Sequence, residues 1–525
     1  MTKYLINRIL RSLLSVFIVV AVVMVLIYTC MDRELIFFAD PLYSKQQNNS
    51  KEVYKQQKFE EYGYIDYVSY TDYLKQLLAA GEIDEATLTE ASKYGYTADK
   101  DSELVANYVA KFKEHYEAQG YQFKRLDVVL KYKSNKPAAG GEPQIYAYKD
   151  VALTDRLVKF FTGLVSVDNI HNVKDDVGER GLTFTWYDPA YGGEQFSPAI
   201  IGNGTTHKYL FYCNDQFPFI HQNLVNINLG KSYNIRKGVD VFQILNQTQG
   251  SFATSTVTYP TGLVEESADD LHSATYVSGS LENGTIVIKD RFVDNYTNVE
   301  TNKSGLSKTG YSFTIGIISV AMSYLLGIPL GILMAKRKDT LVDKLGTLYI
   351  VFIIAVPSLA YIFLFKAIGG NMGLPTTFDM ENPTWLMYVL PVVSLALPSV
   401  ANLMKWLRRY MIDQNNAEYV RFARGAGLSE GYIFRCHVLK NSAIPMIHGI
   451  PASILGALVG AIITERVYVV PGAGNLLTGA INAYDNGVIV GVTLFYALIS
   501  VAAVILGDVF IAAADPRITF AGKEG

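Results

Sequence analysis

The chain has little of what builds metal centres, disulfide frameworks or covalent active sites. Its three cysteines, Cys30, Cys213 and Cys436, stand far apart, which offers neither a disulfide framework nor a paired zinc site. The seven histidines are scattered and no HExxH or CxxC occurs, so no metal-dependent or thiol redox chemistry is signalled. A phosphate-binding loop is missing too, because Gly230-Lys231-Ser232 has Val225 where the GxxxxGK[ST] pattern needs its first glycine. The chain is therefore expected to bind no cofactor and to hydrolyse no nucleotide itself. Charge is also scarce. Asp, Glu, Lys and Arg make up 18% of 525 residues, the net charge is -3 and no strongly basic domain is present, which argues against a nucleic-acid partner.

Apolar residues are abundant, at 50% of the chain, and they gather in blocks instead of spreading evenly. A hydrocarbon core about 30 Å thick needs about 20 mostly apolar residues in a helix. Six stretches qualify, near residues 9–29, 312–335, 346–367, 386–404, 443–463 and 488–513. The first lacks the small-residue cleavage site of a signal peptide and should remain as an anchor. Pro329, Pro357, Pro391, Pro398 and Pro451 fall in the later stretches, where a helix bundle tolerates them as kinks. Few ionisable residues interrupt the six, Asp508 being the main exception. Carriers coupled to protons or sodium usually need such groups at midplane. Uphill transport by this chain would therefore draw its energy from another subunit.

Short flanking loops set the expected orientation. Lys3, Arg8 and Arg11 precede the first span, Lys336, Arg337, Lys338 and Lys344 follow the second, and seven Lys and Arg residues lie between 405 and 440. By the positive-inside rule, both termini and the 405–442 loop are expected to be cytoplasmic and residues 33–306 extracellular. That outer segment reads as a folded mixed domain. Ser102 or Asp101 is placed to cap a helix that stops at Gly120, while TSTVTY at 254–259 and GTIVI at 284–288 read as strands. Residues 153–165 put Leu157, Phe160, Phe161 and Leu164 on one helical face, which suits either the bilayer surface or a protein core.

The loop between the fourth and fifth spans is the most informative segment. Tyr419, Phe422, Ala423 and Ala426 fall at i, i+3, i+4 and i+7 and predict one apolar helical face, with Glu418, Arg421 and Arg424 pointing elsewhere. Gly427 then supplies a turn and Ser429 a cap for a second short helix, which begins at Glu430 and carries Ile433, Phe434, Val438 and Leu439. A helix, glycine, helix element of this kind fits a groove on a partner. A basic loop lying on anionic lipid is the alternative.

The segment RFARGAGLSE, with Arg421, Ala423, Arg424, Gly427, Leu428, Ser429 and Glu430, resembles the EAA loop of ABC importer permeases in the form typical of the oligopeptide and dipeptide branch. It departs from the commonest form in having Gly425-Ala426 where an Ala-Lys pair is frequent. Further similar segments are KYLINRILRSLLSVFIVV at the start, GIPLGILMA at 327–335, IIAVPSLA at 353–360, the VVPGAGNLL block at 469–477 and Asp515-Pro516-Arg517. The long insertion with NLGKSY at 228–233 looks like the Ami type of Gram-positive oligopeptide permease.

This resemblance implies an α-helical polytopic membrane protein. It would consist of a first transmembrane helix (1–32), a mixed α/β extracellular domain (33–306) inserted between helices 1 and 2, and a five-helix permease core (307–525). The implied partners are a second homologous permease, two ATPase subunits that use ATP and Mg, and a lipid-anchored extracellular peptide-binding protein, with an oligopeptide as cargo. Glu418, Arg421, Phe422, Ala423, Arg424, Gly427, Leu428, Ser429 and Glu430 are the implied contact with the ATPase. Ser358, Tyr361, Asn402 and Ser453 are polar groups on the third to fifth spans, candidates for the translocation path or for interhelical hydrogen bonds. An importer for a dipeptide or a nickel chelate shares the permease motifs. An extracellular receptor or enzyme on an anchor would leave the 417–445 loop without a purpose.

Overall fold

The computed structural model describes residues 2–128, 143–174, 177–188, 196–213, 220–247, 305–380 and 382–514. It also describes the short segments 131–133, 136–138, 193–194, 252–253, 255–258, 264–267, 274–276, 292–294 and 302–303. Helix α1 (Thr2–Cys30) opens the chain. It buries Val16, Val20, Met24 and Ile27, spaced to lie along one stripe, in a cluster shared with Val488, Val492 and Leu494 of the last helix. Near the other end, Arg8 Nε lies 2.9 Å from Asp508 Oδ2. The carboxylate that stood out in the last apolar stretch is thus neutralised by the first.

After α1 come α2 (Pro41–Lys45), α3 (Asn48–Glu61), β1 (Ile65–Ser69), α4 (Tyr70–Ala79), α5 (Glu85–Ala91), α6 (Glu103–Glu117) and β2 (Gln122–Leu126). The paired strands β3 (Lys131–Lys133) and β4 (Lys136–Ala138) lead to β5 (Gln144–Asp150), which forms the centre of an antiparallel sheet ordered β1-β5-β2. Tyr70, Leu74, Phe112, Tyr116, Ile145 and Ala147 make the core between helices and sheet. Ser102 accepts from Val105 N at the start of α6, and Gly120 follows its end at φ +81°, as the capping pattern required.

Helix α7 (Leu153–Gly163) and β6 (Val165–Val167) precede a second sheet of β7 (Gly181–Thr185), β8 (Ala199–Asn203), β9 (Tyr209–Cys213) and β10 (Ile220–Gln222). Strand β11 (Val225–Ile227) pairs with β6, and α8 spans Val241–Asn246. Of the two later strand expectations, 255–258 is a strand paired with 264–267, and GTIVI at 284–288 lies outside the described residues. The apolar face of α7 is occupied by protein. Leu157, Phe160, Phe161 and Leu164 pack on the α1 cluster, with the Phe161 and Phe17 ring centroids 4.4 Å apart.

The remaining helices form the bundle: α9 (Lys308–Lys336), α10 (Leu341–Ala355), α11 (Ser358–Asn371), α12 (Val389–Asn415), α13 (Glu418–Gly425), α14 (Glu430–Ile433), α15 (Lys440–His448), α16 (Ile450–Tyr468), α17 (Ala473–Asn482) and α18 (Asn486–Ala514). Among the described residues, five helices are long and apolar enough to cross a membrane, and a sixth span is added if α10 and α11 count as one. That pair corrects the expectation of a continuous span over 346–367, since it is bent by 109°. The cause is Pro357, which lacks an N–H and forces Val356 into extended backbone at φ -85°, ψ 129°. The expected fifth span also moves, because α16 starts after Gly449 and runs on to Tyr468, taking Glu465 inside.

Helices α9 and α12 meet through small residues. A Cβ on Gly327 would lie 2.9 Å from Leu403 Cβ, and one on Gly331 3.2 Å from Leu407 Cβ, so four-residue glycine spacing sets the approach. Ser319 and Ser323 donate to the carbonyls of Val392 and Ala396 at 3.3 and 3.1 Å.

The segment 229–241 is fastened to the start of α18 by Asp485, which is fully buried. Its carboxylate accepts from Ser232 Oγ (2.6 Å), Tyr233 N (2.8 Å), Asn234 N (2.9 Å) and Ile235 N (3.0 Å). Asn234 Nδ2 donates to Ile36 O and Ala483 O at 2.8 and 2.7 Å. Close approach needs glycine on the helix, because a Cβ on Gly487 would overlap Lys231 O and one on Gly491 would lie 2.6 Å from Leu229 O. Replacing Asp485 by Ala leaves several buried donors unpaired, at about 1–3 kcal/mol each. The Asp485→Ala protein is therefore expected to lose several degrees of thermal midpoint in detergent and to become nickable by protease between 223 and 241. Asp485→Asn should keep part of the protection; a midpoint and digestion pattern equal to wild type in both variants would contradict the fastening.

Candidate coupling site

Helix α12 continues to Asn415, and the chain then turns into α13. Val420 and Ala423 of α13 are buried with Leu407 and Met411 of α12, Ile433 and Val438, while Ile328, Ile332 and Ala335 of α9 pack against the same cluster. The face predicted from Tyr419, Phe422, Ala423 and Ala426 is therefore corrected. Only Ala423 of the four is buried; Phe422 is 85% exposed and Tyr419 40%. A seven-residue spacing fits two overlapping stripes on so short a helix, and the apolar ends of α9 and α12 select the one that includes Val420.

Gly427 closes α13. At φ +79° it donates to Arg424 O (3.0 Å), and Leu428 N donates to Ala423 O (3.2 Å), which is the Schellman arrangement. Nothing lies within 4 Å of a Cβ built on Gly427, so the demand for glycine is conformational and not steric. Ser429 Oγ accepts from Tyr432 N and caps α14. Phe434–Leu439 then forms a π-helical turn before α15, an insertion often found at working sites. As letters, Gly427-Leu428-Ser429-Glu430-Gly431 also spells GxSxG. The hydroxyl of Ser429 is engaged as a helix cap and sits on no strand-to-helix elbow, so the pattern carries no nucleophile.

Arg424 is engaged within the loop. Its Nε donates to Glu430 Oε1 at 2.8 Å and its Nη2 to Asn415 Oδ1 at 2.8 Å, and Arg424 accordingly holds the Glu430 carboxyl below its usual value. Arg421, by contrast, is exposed and makes no ion pair among the described residues. Glu418, Arg421, Phe422, Gly425 and Ala426 line an open depression.

The four candidates for a translocation path have different surroundings. Ser358 and Asn402 are exposed, and Tyr361 is buried with Ile362, Leu390 and Tyr468. Ser453 donates to Gly449 O (2.9 Å) and lies 3.2 Å from Tyr324 OH.

A buried group absent from the candidates is Glu465, fully enclosed in α16. It accepts from Ser312 Oγ (2.6 Å) and Asn475 N (3.0 Å), and Ala473 N donates to Ser312 (2.9 Å). The start of α17 is thus held by a carboxylate. Gly472 and Gly474 of the PGAG run make room: a Cβ on Gly472 would overlap Glu465, and one on Gly474 would lie 2.6 Å from Ile462 Cα. Val469 ends α16 at φ +57°, a strained position for a β-branched residue.

Several long apolar helices, with a short helical element packed on α9 and α12, are the architecture of a multi-pass membrane protein. Residues 327–520 match the family of binding-protein-dependent transport system inner membrane components. Oligopeptide transport system permease protein AmiC of Streptococcus pneumoniae serotype 4 is 34% identical over 531 residues, covering 100% of both chains. Dipeptide transport system permease protein DppB of Lactococcus lactis subsp. cremoris is 29% identical over 225 residues, 42% of this chain and 73% of that one. DppB of Bacillus subtilis is 28% identical over 208 residues, 39% and 67% respectively. The chain belongs to the oligopeptide permease family of binding-protein-dependent transport systems.

Two substitutions test the geometry of the loop. Gly427→Val forces a side chain into a positive-φ position at a cost on the order of 1 kcal/mol or more. Arg424→Glu sets like charges against each other at Glu430. Amide hydrogen exchange over 418–433 is expected to quicken severalfold in both, and the Arg424→Glu/Glu430→Arg swap should restore protection. Wild-type exchange in both single variants would mean that neither the turn nor the ion pair orders the loop.

Proposed function

We propose that this chain is one permease subunit of an ATP-driven oligopeptide importer and that it lines the peptide path together with a second, homologous permease. The observation that carries this reading is likeness over the whole chain, intervening domain included, to a protein described as an oligopeptide transport system permease. The dipeptide relatives match about two fifths of the chain. ATP and Mg are used by two partner ATPases; this chain binds neither.

In this reading both termini and the α13–α14 loop face the cytoplasm and residues 33–306 lie outside, where a lipid-anchored binding protein delivers peptide. One of the two ATPases receives α13 and α14 of this chain in a surface cleft, with Phe422 as the apolar knob and Arg421 as the cation beside it. Gly427, Leu428, Ser429 and Glu430 hold the two short helices at a fixed angle. Because Val420 and Ala423 are seated on α9 and α12, closure of the ATPase pair displaces those two helices with the loop. A permease that accepts many peptides gains from a wide, weakly selective path, with affinity left to the binding protein.

Cells carrying Phe422→Ser with Arg421→Glu should keep the protein in the membrane, lose co-purification of the ATPases and take up labelled tetrapeptide at least tenfold more slowly. Deletion of 45–225 should also abolish uptake while the ATPases remain bound. Normal tetrapeptide uptake by a strain lacking the whole gene would overturn the substrate, and normal uptake by the double variant would overturn the docking surface.

A further inference from the structure

Where α1, α7 and the start of α18 meet the intervening domain they enclose a cavity of about 510 Å³. Its apolar lining includes Met24, Phe160 and Val490, residues at the ends of α1 and α18 or on the helix packed against them. Its charged lining falls into two sets from different elements. Glu60, Glu61 and Asp66 come from the end of α3 and from β1, whereas Arg156 and Lys159 come from α7 and Lys231 from the fastened segment. Asp155 adds one carboxylate on the α7 side.

Most of these groups form no ion pair among the described residues. The Arg156 guanidinium lies 3.5 Å from the Tyr28 ring centroid and 4.0 Å from that of Tyr64, and its Nη2 is buried without a hydrogen-bond partner. A buried guanidinium donor left unpaired is costly unless something else accepts from it. Lys159 and Lys231 form no ion pair among the described residues, and of the three acids only Glu61 does, with Lys58. Burial, then the neighbouring carboxylates Asp72 and Asp66, push the Glu60 carboxyl above its ordinary value against the pull of Lys159.

We propose that this cavity binds a zwitterion, with its anionic group held by Arg156, Lys159 and Lys231 and its ammonium group by Glu60 and Asp66. The inference goes beyond the proposed function, which needs no ligand at this position. Two sources carry the chemistry: a short peptide with free termini, and a phosphatidylethanolamine headgroup reaching the cavity from the level at which α1 ends and α18 begins. The apolar lining suits the glycerol and first methylenes of the lipid or the side chains of the peptide.

The test uses the purified full chain. Titration calorimetry compares tetra-alanine with N-acetyl-tetra-alanine amide, and native mass spectrometry compares phosphatidylethanolamine with phosphatidylglycerol. One zwitterion is expected to bind, with its counterpart at least tenfold weaker, and the pair that discriminates identifies the source. Arg156→Gln should abolish that binding; because Arg156 also stacks on two tyrosines, Lys159→Gln and Glu60→Gln at exposed positions supply the independent check, each weakening binding about fivefold or more. Absence of binding by both zwitterions, equal binding of the blocked peptide or of phosphatidylglycerol, or no change in the Lys159 and Glu60 variants would each overturn the proposal.

Discussion

A carboxylate removed from water must find hydrogen-bond donors or a cation, and Asp485 has found donors. Four of them, one hydroxyl and three backbone amides, come from residues 232 to 235, about 250 positions earlier in the chain. The intervening domain is thereby held against the start of α18, and glycines at 487 and 491 let its backbone touch the helix. Glu465 repeats the device on a shorter scale, using Ser312 and the first amides of α17 to pin α17 to α16 and α9.

These two anchors divide the chain mechanically. The same α9 that supplies Ser312 at one end supplies Ile328, Ile332 and Ala335 to the loop cluster at the other, and its glycines 327 and 331 seat it on α12 between them. Small residues at this contact leave little void between α9 and α12. Among the described residues, the break at Pro357 bends the apolar α10–α11 pair by 109°.

Much of this was legible in the sequence because it depends on neighbours. The Ser102 and Ser429 caps and the Gly427 turn follow from residues a few positions apart, and each appears where its pattern placed it; the third and fifth spans do not, because Pro357 breaks one and the other runs on to Tyr468. The loop motif and the long insertion also gave the family, which the full-length relative bears out. What was missed depends on distance. Asp485 and Glu465 look like ordinary loop and interfacial acids until partners 150 to 250 residues away are folded onto them. The Arg424 to Glu430 pair crosses a turn whose closure no period reports, and the buried stripe of α13 is chosen by α9 and α12. Pro357 differs from Pro398 only in its surroundings: the first ends a helix and the second sits inside one.

The account requires the α13–α14 loop and the intervening domain to face opposite sides of the membrane. Two single-cysteine proteins measure this directly. One keeps the exposed Cys436 of the loop, with Cys30 and Cys213 changed to Ser. The other carries Glu82→Cys on the exposed surface of the domain, with all three native cysteines changed to Ser. A membrane-impermeant maleimide added to intact protoplasts should label position 82 at once and Cys436 only after permeabilisation. Equal labelling of the two positions in intact protoplasts, or the reverse order, would contradict it.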